Sequence, residues 1–236
     1  QNITIMTFNS VLKNSSEVNY AIDHLHSLGL FAHPDKVKSW DTYKMIKIIT
    51  DGARSSFILD VGCDGCPILS ILRRLGFKNL YGCDLFLKNR PSNTPIIDKY
   101  EDKSFNISIQ NLEKTNFHDK MFDYITSLSV IEHGVNIQNY FKEMNRIMKR
   151  GGILLTSTDY WPNKIPNIVK TKHNPTNNPD NIFSKEEIEN VVLKTAELNG
   201  LVPTEPLDYS SEDKVVHYDG TGLDYTFIFF VLIKTR

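Results

Sequence analysis

The chain is short of cysteine, of net charge and of long apolar runs, and each shortage excludes a class of protein. Its three cysteines, Cys63, Cys66 and Cys83, are odd in number and too few to staple a fold, which fits a reducing compartment. Cys63 and Cys66 form a C-x-x-C pair, but a structural zinc site wants four ligands and no second pair exists. Small residues in a crowded turn are the preferred reading, and no metal is expected. With 27 basic and 28 acidic residues the formal net charge is −1, which gives no electrostatic ground for a nucleic-acid or anionic-membrane partner. No apolar run approaches ~20 residues, so no transmembrane helix is expected. The start, Gln1-Asn2-Ile3-Thr4-Ile5, lacks a basic segment followed by a long apolar one, so no signal peptide is expected and the expected location is cytoplasmic.

What is present is an ordinary globular composition, 40% hydrophobic over 236 residues, enough for one α/β domain with decorations. The chain is organised around residues 57–72. Phe57 to Val61 is a short apolar run, the pattern of a strand covered on both faces. Gly62 and Gly65 allow backbone conformations that a side chain forbids. Pro67 suits a first helical position, Ile68, Leu69, Ile71, Leu72 and Leu75 form an apolar face, and Gly76 ends the helix. A strand, a glycine turn and a helix make a ligand cradle, because helix-end amides point at whatever sits there.

Residues 1–14 carry little signal. Ser15 or Ser16 is expected to cap a helix through about Ser27, and Ser39 or Asp41 to open a second one ending near Gly52. Residues 1–52 therefore read as a helical extension or lid ahead of a main domain over 53–236. Further strands are expected at 79–84, 105–109, 122–128, 153–156, 201–206 and 225–233, with 88–103 and 208–222 as loops. A helix capped by Asn136 is expected to end at Lys149-Arg150-Gly151-Gly152. Residues 159–181 are rich in Pro, Asn and Lys and read as a lid-like insertion. Ser184-Lys185-Glu186-Glu187 is a capping box ahead of a helix carrying Ile188, Val191, Val192, Thr195 and Leu198. Alternating strands and helices predict a doubly wound, mostly parallel sheet with an antiparallel last strand, which binds ligands at the carboxyl ends of its strands.

Two ligands compete for the cradle. A dinucleotide needs a G-x-G-x-x-G turn with an acidic residue ~20 positions on. Asp84 lies at about that spacing, but only Gly62 falls on the glycine pattern, because Asp64 and Pro67 occupy the other two positions. Asp60 and Asp64 would repel a pyrophosphate and suit a ligand carrying positive charge, such as an ammonium or sulfonium group.

Five stretches then occur in order: Leu59-Asp60-Val61-Gly62-Cys63, Tyr81-Gly82-Cys83-Asp84, residues 122–127, Val130-Ile131-Glu132-His133 and residues 148–152. Together they resemble a class I S-adenosylmethionine-dependent methyltransferase over roughly 57–233, and Lys38-x-Trp40-Asp41 resembles some bacterial members. The resemblance implies a seven-stranded Rossmann-like sheet with S-adenosylmethionine as cofactor. It implies that Asp60, Gly62, Cys63 and Gly65 face the methionine part and that Asp84, followed by Leu85, takes the ribose hydroxyls. Asn111 and Leu112 would flank adenine, Ser127 and Leu128 would line the cofactor, and Trp40 would lie over it as a lid. The family turn is usually Asp-x-Gly-x-Gly-x-Gly; here Asp64 and Cys66 replace two glycines, and Asn111 replaces the usual Asp.

Methyl transfer to a hydroxyl needs a positioned acceptor and a base. His133 follows the fourth strand and Asp159 the fifth, and both are candidate catalytic residues. Glu132 reads as a capping or salt-bridge group, Tyr160 and Trp161 as pocket wall, and His173, His217, Tyr218 and Asp219 as weaker candidates. Polar and aromatic loops without a basic patch favour a small polar acceptor, and similar bacterial sequences point to a sugar or polysaccharide precursor. A macromolecule-directed methyltransferase and a non-catalytic binding module remain open alternatives.

Overall fold

The computed structural model describes residues 7–63, 65–85, 105–170, 174, 176 and 178–236. Asp64, His173 and the loop expected at 88–103 lie outside the described residues. At the centre of the sheet is β2 (Phe57–Val61), with β3 (Asn79–Asp84) and β5 (Phe122–Leu128) parallel on either side. β4 (Asn106–Ile109) continues the sheet beyond β3, and β6 (Met148–Tyr160) lies parallel to β5. β9 (Leu223–Lys234) then runs antiparallel to β6, and β1 (Ser10–Val11), β7 (Leu201–Pro203) and β8 (Val216–Tyr218) each pair antiparallel with β9. The order is β1-β9-β6-β5-β2-β3-β4, with β7 and β8 also on β9. The described residues thus hold nine strands: the expected parallel sheet and antiparallel last strand, plus the short β1 and β8.

Two apolar layers cover the sheet, and strand periodicity sorts residues between them. In β9, Phe227, Phe229 and Val231 face the layer made by α1 (Ser15–Ser27), α2 (Ser39–Thr50) and α3 (Pro67–Arg74). Ile228, Phe230 and Leu232 face the layer made by α4 (Ile137–Ile147) and a last helical run. That run joins Lys185–Glu187, a π-type segment Ile188–Leu193 and Lys194–Leu198. Its capping box forms in full: the Glu187 amide donates to Ser184 Oγ, and the Ser184 amide to Glu187 Oε2. The wide π turn keeps Ile188, Val192 and Ala196 on the buried row and leaves Val191 and Leu198, expected to pack, 46% and 69% exposed.

Three boundaries differ from expectation for local reasons. The cap of α1 is Asn14, whose side chain accepts from the Ser16 amide, rather than a serine. α4 ends at Ile147, and Lys149 to Gly152 belong to β6, where Gly151 at φ +76° accompanies a register shift between Phe122 and Tyr124. The weakly patterned residues before 14 supply β1, because their partner is remote: the Val231 amide donates to Asn9 Oδ1, and Glu205 Oε1 accepts the Phe8 and Asn9 amides.

α2 enters the core rather than skirting it, with nine of its twelve residues buried. Asp41 is fully buried; Ser157 Oγ on β6 donates to its Oδ2 at 2.7 Å and the Thr42 amide to its Oδ1. Burial pushes its carboxyl up to about 7, against the Ser157 hydrogen bond and the nearby Lys38. A folded-state pKa raised above the unfolded value of about 4 confers stability below that pH, and the contribution is lost as pH rises through about 7. Urea denaturation at several pH values checks this: relative to Asp41→Asn, the wild-type chain loses on the order of 4 kcal/mol between pH 4 and 7. Parallel curves for the two proteins would contradict it.

Candidate functional site

The strand-to-helix turn after β2 is built by its own backbone. The Gly62 amide donates to the Cys83 carbonyl at 2.8 Å, tying the turn to the end of β3. Gly62 (φ +66°), Gly65 (φ +71°) and Cys66 (φ +51°) all take left-handed conformations, and Pro67 opens α3 directly behind them. Cys66 therefore adopts the shape usually left to glycine, at a cost of roughly 1–2 kcal/mol, and the turn keeps its course. Gly82 of β3 leaves room for Cys63, since a Cβ there would sit 2.8 Å from its sulfur. The hydrogen bond with Cys66, and then burial, push the Cys63 thiol up, and burial pushes Cys83 up to about 12, so neither supplies a thiolate near neutral pH.

A cleft of about 1110 Å³ opens across the carboxyl ends of β2, β3, β5 and β6. One half is lined by Asp60, Gly62, Cys63, Gly65, Asp84, Leu85, Asn111, Leu112 and Leu128. Asp60, one residue before the end of β2, accepts from Thr126 Oγ1 at 2.7 Å; Asp84 ends the adjacent β3. Asn111 reaches the same wall, but its carbonyl oxygen already accepts the Glu113 amide at 2.9 Å. What it presents to the cleft is chiefly its N–H donors, so an adenine ring nitrogen is a better partner for it than the amine. Two residues expected here lie elsewhere. Ser127 is fully buried beneath the cleft wall. Trp40 points into the core, edge-on to Phe229 at 6.3 Å and under the Lys44 ammonium at 4.1 Å, because the Asp41–Ser157 bond turns that side of α2 inward.

The other half holds the candidate reacting groups. His133 follows β5, and its Nδ1 lies 3.0 Å from Asp180 Oδ1. Burial works against a charged ring, but the Asp180 hydrogen bond and the Glu132 and Asp159 charges prevail and raise its pKa above 6.5. Asp180 reaches His133 through a short strap: the Asn181 amide donates to the Glu132 carbonyl, the Phe183 amide to the Asp159 carbonyl and the Trp161 amide to the Phe183 carbonyl. Glu132 is buried, with Oε2 accepting from Thr158 Oγ1 at 2.9 Å. Asp159 lies opposite Phe227 of β9, 8% exposed and hydrogen-bonded to the Tyr225 hydroxyl. Burial and the Glu132 charge raise its pKa well above the ordinary carboxylate range, which favours its protonated form.

Lys38, Asp180, Tyr225 and Phe227 also line this half, and none was singled out from sequence as part of it. Only Lys38 carried a signal, its place in Lys38-x-Trp40-Asp41. Of the weaker candidates, His217 and Tyr218 reach the cleft wall, while Tyr160, expected as pocket wall, is fully buried. A second surface hollow of about 850 Å³ shares Asn111 and Glu113 with the cleft, and there Arg146 is paired with Glu143 of the same wall and with Asp119.

The donor set fits an S-adenosyl cofactor. Two carboxylates at adjacent strand ends, with a glycine turn between them, match a ribose diol and an ammonium, and would repel a pyrophosphate. Comparison with known proteins agrees. Residues 59–156 match a family profile described as a methyltransferase domain. The chain is 33% identical over 110 residues to a mitochondrial ubiquinone biosynthesis O-methyltransferase of Dictyostelium discoideum, covering 43% of this chain and 34% of that one. With the ubiquinone biosynthesis O-methyltransferase of Rickettsia typhi it shares 34% identity over 101 residues, 43% of this chain and 40% of the relative. It thus spans between a third and two fifths of the length of these two. With the enzyme of the same name from Rickettsia bellii, identity is 30% over 194 residues, 75% of this chain and 74% of that one.

Among solved structures, a geranyl diphosphate C-methyltransferase from Streptomyces coelicolor, in complex with S-adenosyl-L-homocysteine, superposes with a TM-score of 0.59. Its sequence is 16% identical, over 94% of this chain and 85% of that one. A phosphoethanolamine N-methyltransferase from Haemonchus contortus with S-adenosyl-L-methionine gives 0.60 at 15% identity, over 92% and 56%. At these identities the structures share the fold.

The turn's geometry sets one test. A Cβ on Gly62 would lie 2.5 Å from Val130 Cγ2, at a φ that disfavours any side chain. Gly62→Ala is expected to lower stability by about 2–4 kcal/mol, the left-handed and overpacking costs together. Thermal and urea unfolding read the change, and an unaltered midpoint would refute the packing described.

Proposed function

Because the chain belongs to the class I S-adenosylmethionine-dependent methyltransferases, we propose that it is an O-methyltransferase acting on a hydroxyl of a small acceptor, with His133 as the base. The observation that carries this reading is the His133–Asp180 pair, held at 3.0 Å in the wall of the cleft that also contains Asp60 and Asp84. In this reading Asp84 receives the ribose hydroxyls, Asn111 and Leu112 flank adenine, and Asp60 with Gly62 and Gly65 faces the methionine end; their common place in the cleft lining supports it. When bound, S-adenosylmethionine supplies an electrophilic methyl carbon, and its sulfonium becomes a thioether as the methyl departs. The chain's own part is to hold the acceptor and to take its proton. With Nδ1 directed at Asp180, His133 offers Nε2 to the acceptor hydroxyl; the proton moves to that nitrogen as the oxygen–methyl bond forms, and then to water.

For the acceptor, three features support a ring hydroxyl. Relatives bearing the ubiquinone-biosynthesis name are O-methyltransferases. Tyr225, Phe227, Val216 and Ile182 give this half of the cleft an aromatic and apolar wall. A phenolic hydroxyl, with a pKa near 10 as in tyrosine, is also within reach of an imidazole base, whereas a sugar hydroxyl is far less acidic. The saccharide expected from sequence gains no support from the comparisons.

A turnover screen tests the reading: conversion of S-adenosylmethionine to S-adenosylhomocysteine with panels of phenols, sugars and nucleotide sugars. Turnover is expected with phenols; its absence from every panel, or turnover with sugars alone, would overturn the proposal. His133→Ala is expected to lower kcat by about 10²–10⁴-fold with cofactor affinity unchanged. Asp84→Asn is expected to weaken cofactor binding about 10- to 100-fold by calorimetry, as loss of a charged hydrogen bond does. The base works unprotonated, so kcat/KM falls as pH drops through the raised His133 pKa. Removing Asp180's charge in Asp180→Asn lowers that pKa and moves the acid limb to lower pH.

A further inference from the structure

The stretch Lys38-x-Trp40-Asp41 is only partly explained by the fold. Asp41 and Trp40 are structural: one is bound to Ser157 of β6, the other packed on Phe229 of β9. Together they lock the first turn of α2 against the end of the sheet. This leaves Lys38, the residue before α2, half-buried and facing the cleft, with its ammonium 5.9 Å from the centre of the Phe227 ring. The groups that face it are His33 and Asp35 from the preceding loop, Asp41 from its own helix, Asp159 from β6, and Tyr225 beside Asp159 on β9. Among the described residues it makes no side-chain hydrogen bond or ion pair. Burial weakens two of these acids as counter-charges, pushing Asp41 up to about 7 and raising Asp159. His33 is neutral, burial and Lys38 itself holding it down at about 4. Phe227, against which the Lys38 ammonium lies, is the strand partner of Asp159, and Lys38, Asp159 and His133 all line the same cleft.

We propose that Lys38 is a further catalytic residue, whose ammonium stabilises the negative charge that develops on the acceptor oxygen as His133 withdraws the proton. The inference rests on the O-methyl transfer reading. The base alone must pull a proton from a much weaker acid. A cation within about 4–6 Å of an ionising oxygen lowers its pKa by roughly 1–3 units, narrowing the gap between acceptor and imidazole. The charge matters most in the transition state and little in binding a neutral acceptor, so it acts on kcat rather than on KM.

The probe is 4-nitrophenol, which carries no other acidic group and whose phenolate absorbs visibly. It is titrated on the protein with S-adenosylhomocysteine present. On the wild-type protein the apparent pKa of bound probe is expected to fall by about 1–3 units relative to free probe. Lys38→Met should abolish the shift, and Lys38→Arg should restore most of it. In turnover, Lys38→Met should lower kcat, more steeply for less acidic phenols, with cofactor affinity and unfolding midpoint unchanged. An equal shift in wild type and Lys38→Met overturns the role of Lys38 while leaving the O-methyltransferase reading intact. A defect in Lys38→Met confined to KM for acceptors bearing a carboxylate also overturns it, since Lys38 would then read a substituent. Failure of 4-nitrophenol to bind the wild-type protein, when calorimetry shows the cofactor bound, overturns the ring-hydroxyl reading together with this proposal.

Discussion

Three carboxyls, Asp41, Glu132 and Asp159, are buried together at one end of the sheet, and the acceptor half of the cleft is shaped by the need to satisfy them. An isolated buried charge is costly, so each group is paired with a neutral hydroxyl donor: Ser157, Thr158 and Tyr225 respectively. This explains why β6 turns polar, through Thr156, Ser157 and Thr158, while remaining wholly buried. Hydroxyl donors solvate these acids without neutralising them; for Asp41 and Asp159, burial instead favours the protonated form. Lys38 brings an ammonium to the cleft wall beside them.

The cleft is therefore divided electrically. At the β2–β3 end, Asp60 and Asp84 set a field for a cation and a diol. At the β5–β6 end, burial favours the protonated forms of Asp41 and Asp159, and His133 and Lys38 line the wall. Two strand-end acids favour a cationic cofactor, and the reduced negative charge at the far end tolerates an oxygen acquiring charge.

Much of this was legible in the chain because strand ends are locally encoded. Asp60, Gly62, Asp84, Leu112, His133 and Asp159 each lie at or shortly after the carboxyl end of a recognisable strand, and the sheet's ligand edge is fixed by topology. What stayed hidden depends on partners remote in sequence. Asp180 meets His133 only because strap amides bind two loop carbonyls. Tyr225 reaches Asp159 through the β6–β9 pairing, and Trp40 turns inward because of a hydroxyl on β6. Cys66 was misleading for another reason. Residue type gave a strong expectation against a left-handed backbone, yet the hydrogen bonds from Cys66 to Cys63 and from Gly62 to Cys83 over-determine the turn.

The pairing of β9 also governs when the sheet can form. β9 is later in the chain than every strand it binds, and Ser10 must wait for Phe229 before β1 has a partner. Until β9 arrives, β6 presents a thirteen-residue open edge. Such long-range closure is slow, and an unpaired edge is prone to pair with other chains. For a chain emerging from the ribosome, the cleft is therefore among the last features to be completed, and yield depends on shielding β6 until then.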